Sequence, residues 1–162
     1  CQDNPTSWIN WDLDSEAAAQ LQFTRLVFAL RRENPAFRRR RFFAGEALGR
    51  RGPKDVMWLH PEGREMQQAD WHVDSAHVLG MWIPGQAADE TDERGRPTTG
   101  RSLLLIVNGG GQTSLFRLPE DLAAGIWTQA LYTAHERVLA MREGVVKLAA
   151  RSLALLRRED SP

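Results

Sequence analysis

The sequence predicts a mainly β protein with one α-helix near the N-terminus. A helical pattern of apolar residues follows a capping aspartate and covers residues 15–33. Several later apolar runs are short and separated by turn-forming residues, which is typical of strands. The most apolar of them, residues 102–108, ends at three glycines. It is too short for a buried helix, so we expect a central strand covered on both faces.

The predicted helix has recognisable ends and a wide apolar face. Asp14 suits the N-cap position, and Glu16 lies in the first turn, where the helix dipole favours an acid. Pro35 stops the pattern after two arginines. A face this wide is expected to be covered on more than one side. Its members are Ala19, Leu21, Phe23, Leu26, Val27, Phe28 and Leu30.

The strand predictions follow the short apolar runs. They fall at residues 55–60, 78–83, 102–108, 113–118 and 127–132. Gly80 is expected to mark a bulge. The glycines at 109–111 predict a hairpin between the third and fourth of these runs. The tail suits either a helix over 148–158 or a final strand over 152–157.

A polar segment over residues 84–100 separates two of the predicted strands. It has acidic residues at Asp89, Glu90, Asp92 and Glu93 and offers no apolar anchor. Loops of this composition run over the surface, so we expect it to be exposed and mobile.

Composition and charge narrow the functional classes. The 162 residues suffice for one domain, or one domain plus a fragment of another. Lys and Arg together number 21, as do Asp and Glu, so no net field favours nucleic acid or membrane surfaces. No apolar run approaches the roughly 18 residues of a membrane helix. The single cysteine, Cys1, excludes an intrachain disulfide and predicts a cytoplasmic location. Because the chain begins with Cys rather than Met, we expect a missing upstream segment.

A run of four arginines at 38–41 precedes Phe42 and Phe43. Basic residues beside aromatics can bind single-stranded nucleic acid. The alternative is a solvated run in which individual arginines pair with carboxylates. The neutral balance of the chain favours the alternative.

The sequence contains no recognisable catalytic or phosphate-binding motif. The histidines, at 60, 72, 77 and 135, lack metal-binding spacing. His72 and His77 with Asp70 or Asp74 form at most a weak metal cluster, and ordinary surface histidines are the stronger interpretation. The glycine triplet lacks the Lys-Ser/Thr of a phosphate loop. We therefore predict no metal and no cofactor.

The opening residues form a predicted loop that carries two tryptophans. Asp3, Asn4 and nearby Pro and Ser residues favour turns. Trp8 and Trp11 then either pack on the following helix or offer ring faces on which a sugar stacks.

Several segments resemble one known family. Residues 1–12 read Cys-Gln-Asp-Asn-Pro-Thr-Ser-Trp-Ile-Asn-Trp-Asp, and residues 26–35 read Leu-Val-Phe-Ala-Leu-Arg-Arg-Glu-Asn-Pro. Further matching segments follow in order at 39–45, 54–66, 70–71, 92–97 and 150–158. Together they resemble bacterial glycogen debranching enzymes of the isoamylase type, which are glycoside hydrolases of the α-amylase family.

The resemblance implies an architecture. The family has a (β/α)₈ barrel followed by a C-terminal antiparallel β-sandwich. Residues 1–41 would be the end of the barrel, with its last helix, and residues 42–162 the sandwich. A barrel needs about 250 residues, so this chain holds only a truncated part of one. The resemblance also favours the strand over the helix at 152–157.

The resemblance further implies a partial function. The catalytic carboxylates of the family lie upstream of the opening motif, so no residue here is expected to be catalytic. Asp3, Asn4 and Trp8 would bind substrate at the cleft rim. We expect structural support for an enzyme that hydrolyses α-1,6 branches of a glycogen-like α-glucan. The partners would be that glucan and the missing N-terminal barrel, without nucleic acid or membrane, and the chain alone would be inactive. A free-standing carbohydrate-binding module is the alternative, and nucleic-acid binding through residues 38–41 is a third.

Overall fold

A computed structural model describes residues 2–87, 91, 93–134 and 138–159 of the chain. The predictions about Asp89, Glu90, Asp92 and His135 lie outside the described residues. The chain divides into two compact units, Cys1–Glu33 and Asn34–Pro162. No helix among the described residues is long and apolar enough to cross a membrane.

The first unit consists of an opening turn and helix α1, Ser15–Glu33, which has the predicted bounds. Asp14 caps it, because its carboxylate accepts the N–H of Ala17 at 2.8 Å and its carbonyl accepts the N–H of Ala18 at 2.9 Å. The wide apolar face is largely accessible in this chain. Its exposed members include Phe23, Leu26, Val27 and Phe28.

The second unit is built from antiparallel strands. Their bounds are β1 Met57–His60, β2 Arg64–Glu65, β3 Val78–Ile83, β4 Leu103–Asn108, β5 Ser114–Arg117, β6 Ile126–Tyr132, β7 Ala140–Arg142, β8 Val145–Leu148 and β9 Ser152–Glu159. Within the described ranges they form a six-stranded sheet, ordered β2-β1-β3-β4-β9-β6, and a three-stranded sheet, ordered β5-β8-β7. Helix α2, Glu120–Ala123, is a single turn, and three short 3₁₀ turns lie at Pro35–Arg38, Gln68–His72 and Gly85–Ala87. The predicted mainly β class is confirmed, and the tail is a strand rather than a helix.

The hydrophobic core lies between the two sheets. The larger sheet contributes Leu59, Leu104, Ile106, Ala154 and Leu156, and the smaller sheet contributes Phe116, Val146 and Leu148. All of these side chains are essentially inaccessible to solvent. Their packing between two antiparallel sheets makes this unit a β-sandwich.

Strand β4 is central in the larger sheet, between β3 and β9. Leu104 and Ile106 point into the core, as the period of two requires. The opposite face is covered unevenly, because Leu103 is buried whereas Val107 is 36% exposed. The expectation that both faces are covered therefore holds at the start of β4 and is wrong at its end.

The predicted hairpin at the three glycines is wrong. Strand β5 pairs with β8 in the smaller sheet and not with β4, so the glycines carry the chain from one sheet to the other. Buried Asn108 directs this change, since its side-chain amide donates to the carbonyls of Gln112 at 2.9 Å and Ala149 at 2.8 Å. These bonds turn the chain out of the sheet at the point where a hairpin would have returned along it.

The predicted bulge at Gly80 is also wrong. Gly80 pairs in regular register with Leu59 on one side and Ile106 on the other. The small residue is needed because a Cβ there would lie 2.5 Å from Cζ of Phe116. The glycine leaves room for an aromatic ring from the opposite sheet.

The polar segment that follows β3 is anchored at its ends, contrary to the prediction. Gly85 and Ala87 are buried. The N–H of Gly85 donates to Oγ of Ser102 at 3.1 Å, and its carbonyl accepts the N–H of Gly100 at 2.8 Å. Hydrogen bonds of the Gly85 backbone thus supply the anchor that the composition of the segment did not predict.

Candidate functional site

The predicted substrate-binding residues Asp3, Asn4 and Trp8 lie in one local turn. The carbonyl of Asn4 accepts the N–H of Ser7 at 3.0 Å, and its side-chain oxygen accepts the N–H of Thr6 at 3.0 Å. Oγ of Ser7 also donates to the carbonyl of Gln2 at 2.8 Å. Asn4 therefore shapes the turn, which is the usual role of an Asn side chain that bonds its own backbone.

Trp8 is held by Asp3 and remains open to solvent. The indole N–H of Trp8 donates a short hydrogen bond to the carboxylate of Asp3. Trp8 is 61% exposed and Trp11 is 74% exposed, so neither ring is packed away on the following helix. Of the two interpretations of these tryptophans, their exposure favours the one with an open ring face.

Arg39, from the run of four arginines, has a structural role. Its guanidinium pairs with the nearly buried carboxylate of Asp55 at 3.0 Å, donates to the carbonyl of Ala87 at 3.0 Å and stacks on Phe43. Because one of the four arginines faces inward, the run is not a continuous exposed basic strip.

Asp55 is held as a carboxylate by its surroundings. Burial alone would raise its pKa, but the N–H groups of Ala44 and Gly45 donate to it at 3.0 and 2.8 Å and Arg39 pairs with it, so its pKa is lowered overall. A general acid in glycoside cleavage needs a raised pKa. Asp55 is therefore suited to holding the segment together and not to donating a proton.

A second surface cluster lies at the β2 edge of the larger sheet. Trp58 and Trp71 meet edge to face, with ring centroids 5.8 Å apart and planes at 83°. Beside them, Arg64 forms a two-bonded ion pair with Asp70 at 2.6 and 2.9 Å. Hydrogen bonds from Arg64 and from the backbone of Gln67 lower the pKa of Asp70, so this carboxylate is also charged and not a general acid.

The sequence analysis did not predict this cluster. The available signal was the alternation in β1, in which Leu59 faces the core and Trp58 and His60 must therefore face away from it. Trp58 was not recognised as an outer-face residue because its neighbours in the sequence are apolar too.

The described part of the chain contains no candidate metal-binding site. No group of three or more His, Cys, Asp or Glu residues there is arranged to hold an ion. His72 and His77 are exposed, as ordinary surface histidines are.

Two antiparallel sheets that enclose a common core define the second unit as a β-sandwich domain. The family model "Isoamylase, C-terminal" matches residues 55–155. The chain therefore belongs to the isoamylase C-terminal family, which confirms the predicted resemblance to the C-terminal part of glycogen debranching enzymes.

Curated relatives agree with this assignment. The chain is 38% identical over 135 residues to the "Glycogen operon protein GlgX homolog" of Mycobacterium tuberculosis, a match that covers 82% of this chain and 19% of that protein. It is 21% identical over 167 residues to the isoamylase of a Flavobacterium species, covering 95% of this chain and 20% of that protein. The chain thus spans about a fifth of the length of these relatives.

Solved structures share the fold. A pullulanase of Paenibacillus barengoltzii, in complex with maltohexaose and α-cyclodextrin, superposes with a TM-score of 0.54 at 17% identity, covering 93% of this chain and 18% of that one. A pullulanase of an Anoxybacillus species, in complex with maltotetraose, gives a TM-score of 0.54 at 10% identity, covering 94% and 17%. At these identities the likeness concerns the fold alone.

Proposed function

We propose that this chain is a supporting C-terminal portion of an enzyme that hydrolyses α-1,6 branch linkages in a glycogen-like α-glucan. Family membership supports the proposal, as do the relatives described as a glycogen operon protein and as an isoamylase. Within the parent enzyme, residues 1–41 complete the catalytic barrel and residues 42–162 form the C-terminal sandwich. The partners are the barrel and, through it, the glucan, and the parent acts in the cytoplasm.

The opening turn is the part of this chain that lines the rim of the substrate cleft. The observation that carries this proposal is the exposed indole of Trp8, held in place by Asp3. An indole face covers the apolar C–H side of a pyranose, while neighbouring polar groups bond its hydroxyls. Asn4 contributes by fixing the turn that presents both residues.

The chain alone is proposed to lack a complete active site. Glycoside cleavage requires a carboxylic acid with a raised pKa and a second carboxylate at fixed separation. Asp55 and Asp70 have lowered pKa values instead, and Asp3 is engaged by the indole of Trp8. The remaining role of the opening turn is binding.

Two assays on the purified chain test this proposal. Affinity electrophoresis in gels that contain glycogen should show retardation that Trp8→Ala reduces and Trp8→Phe largely retains, because the stacking face is what binds. Phe42→Ala is the matched control, since Phe42 is a fully exposed aromatic outside the turn. Retardation unchanged in Trp8→Ala contradicts the binding role. Release of reducing ends from glycogen that disappears in Asp3→Asn contradicts the absence of an active site.

A further inference from the structure

The outer face of the larger sheet carries an aromatic corner, defined here as Trp58 and Trp71 together with His60, Arg64 and Asp70. Both rings are half-exposed, Trp58 at 38% and Trp71 at 48%. The corner lies on the sandwich and not in the opening turn, and neither the family match nor the relatives assign it a role.

The strand geometry puts the first members of the corner on one face. Leu59 lies in the core, so its neighbours Trp58 and His60 point outward. His60 is directly opposite Arg64 in the β1–β2 pair, which brings the guanidinium to the same face. The carbonyl of Trp58 accepts the N–H of Met66 at 2.8 Å, so the turn between β2 and Trp71 remains close to the sheet.

The second ring is fixed by the 3₁₀ turn that carries it. Gln67 and Asp70 form a capping box, in which the carboxylate of Asp70 accepts the N–H of Gln67 at 2.7 Å. The same carboxylate holds both terminal nitrogens of Arg64. Trp71 follows Asp70 directly, so its ring is positioned before any ligand arrives, which lowers the entropic cost of binding.

The chemistry of the corner matches a sugar chain. Indole faces cover the apolar C–H surfaces of pyranose rings. The side chain of neighbouring Glu62 is 74% exposed, so its carboxylate can accept hydrogen bonds from hydroxyls. The two ring planes stand at 83°, so the pair offers no single flat platform, and a curved α-1,4-linked chain suits it better than a straight one. A flat β-1,4-linked ribbon would instead require rings that lie in one plane.

We propose that the aromatic corner is a second α-glucan-binding site, separate from the opening turn, that holds an outer α-1,4-linked chain of the branched polymer. The choice of an α-glucan rests on the proposed function. Such a site raises the local concentration of polymer around the parent enzyme, because a second attachment makes the next binding event intramolecular.

The test is titration of the whole chain with maltoheptaose, followed by NMR of the tryptophan indole N–H groups, each assigned from its own Trp→Phe variant. We expect saturable shifts of the Trp58 and Trp71 signals. Trp71→Ala should weaken the affinity at this site by about tenfold, the size expected for loss of one buried aromatic contact. Trp71→Phe should retain most of the affinity.

The controls separate this site from the opening turn. Trp8→Ala should leave the Trp58 and Trp71 shifts intact, so the corner can bind even if the opening turn does not. Maltoheptaose shifts that involve Trp8 but neither Trp58 nor Trp71 overturn the inference and leave the proposed function standing. Equal affinity for cellohexaose overturns the α-glucan assignment. Near-ultraviolet circular dichroism verifies the fold of each variant. The signal shifts measured on the wild-type chain test the inference without relying on any variant.

Discussion

Gly80→Ala tests the contact that joins the two sheets. Gly80 lies in the middle of β3, and a Cβ built there would be 2.5 Å from Cζ of Phe116, 3.0 Å from its Cε2 and 3.1 Å from Cβ of Leu59. Favourable carbon contacts begin at about 3.5 Å, so the ring or the strand must move. Phe116 is completely buried, so its close-packed neighbours resist any movement of its ring.

The expected cost follows from two opposing effects. Overpacking a close-packed core costs about 1–3 kcal/mol. Replacing glycine by alanine in a strand restores about 0.5–1 kcal/mol, because the unfolded chain loses conformational freedom. We therefore expect Gly80→Ala to lower the free energy of unfolding by about 1–2 kcal/mol.

Urea unfolding followed by far-ultraviolet circular dichroism measures this change. Gly111→Ala is the matched control, since no atom lies within 4 Å of a Cβ there, and it should change stability by less than about 0.5 kcal/mol. Adding Phe116→Leu to Gly80→Ala removes the clashing ring, so the double variant should be more stable than the sum of the single effects by about 1 kcal/mol. Full stability of Gly80→Ala, or strict additivity, would refute this account of the glycine.

Three further predictions concern the core, one buried carboxylate and the helix. Ile106→Ala should lower the free energy of unfolding in urea by about 2–5 kcal/mol. Val107→Ala, on the partly open face of the same strand, should lower it by less than about 1 kcal/mol. Equal losses would contradict the uneven coverage of β4. The lowered pKa of Asp55 stabilises the fold at pH values above the ordinary pKa of an unfolded aspartate, and this stabilisation is lost as the pH falls through the pKa of the folded state. The difference in unfolding free energy between wild type and Asp55→Asn should therefore shrink below about pH 4. A difference that grows there would contradict the pairing with Arg39. The exposed apolar face of α1 should cause the chain to self-associate or the helix to fray. Phe28→Ser should therefore shift sedimentation velocity profiles towards the monomer. A wild-type chain that is monomeric and has strongly protected α1 amides would contradict this prediction.

The sequence was a good guide where the determining interactions are local. The bounds of α1 follow from a cap at Asp14 and a stop before Pro35, both within a few residues of the ends they determine. The turn at Asn4 is equally local, and the bond between Asp3 and Trp8 joins residues only five positions apart. Short-range hydrogen bonding of this kind is encoded in the residue types themselves.

The predictions failed where the deciding partner is distant in the chain. The glycines at 109–111 indicate a change of direction but not the sheet that receives the next strand, which depends on the contact between Asn108 and Ala149. Gly80 is small because of Phe116, which belongs to the other sheet. The aromatic corner has the same origin, since Trp58 and Trp71 meet only after β2 and a 3₁₀ turn bring the chain back.

The position of β9 determines the order in which the sandwich can be completed. This strand is the last in sequence among those described, yet it lies inside the larger sheet and pairs with β4 on one side and β6 on the other. Until β9 leaves the ribosome, β6 has no neighbour in that sheet and the inner edge of β4 stays unpaired. An open apolar edge is prone to pairing with other chains, so the nascent sandwich is exposed to aggregation until β9 has been synthesised. A premature stop before Ser152 would therefore leave a four-stranded sheet with an unpaired edge and an isolated β6, and not a slightly shortened domain.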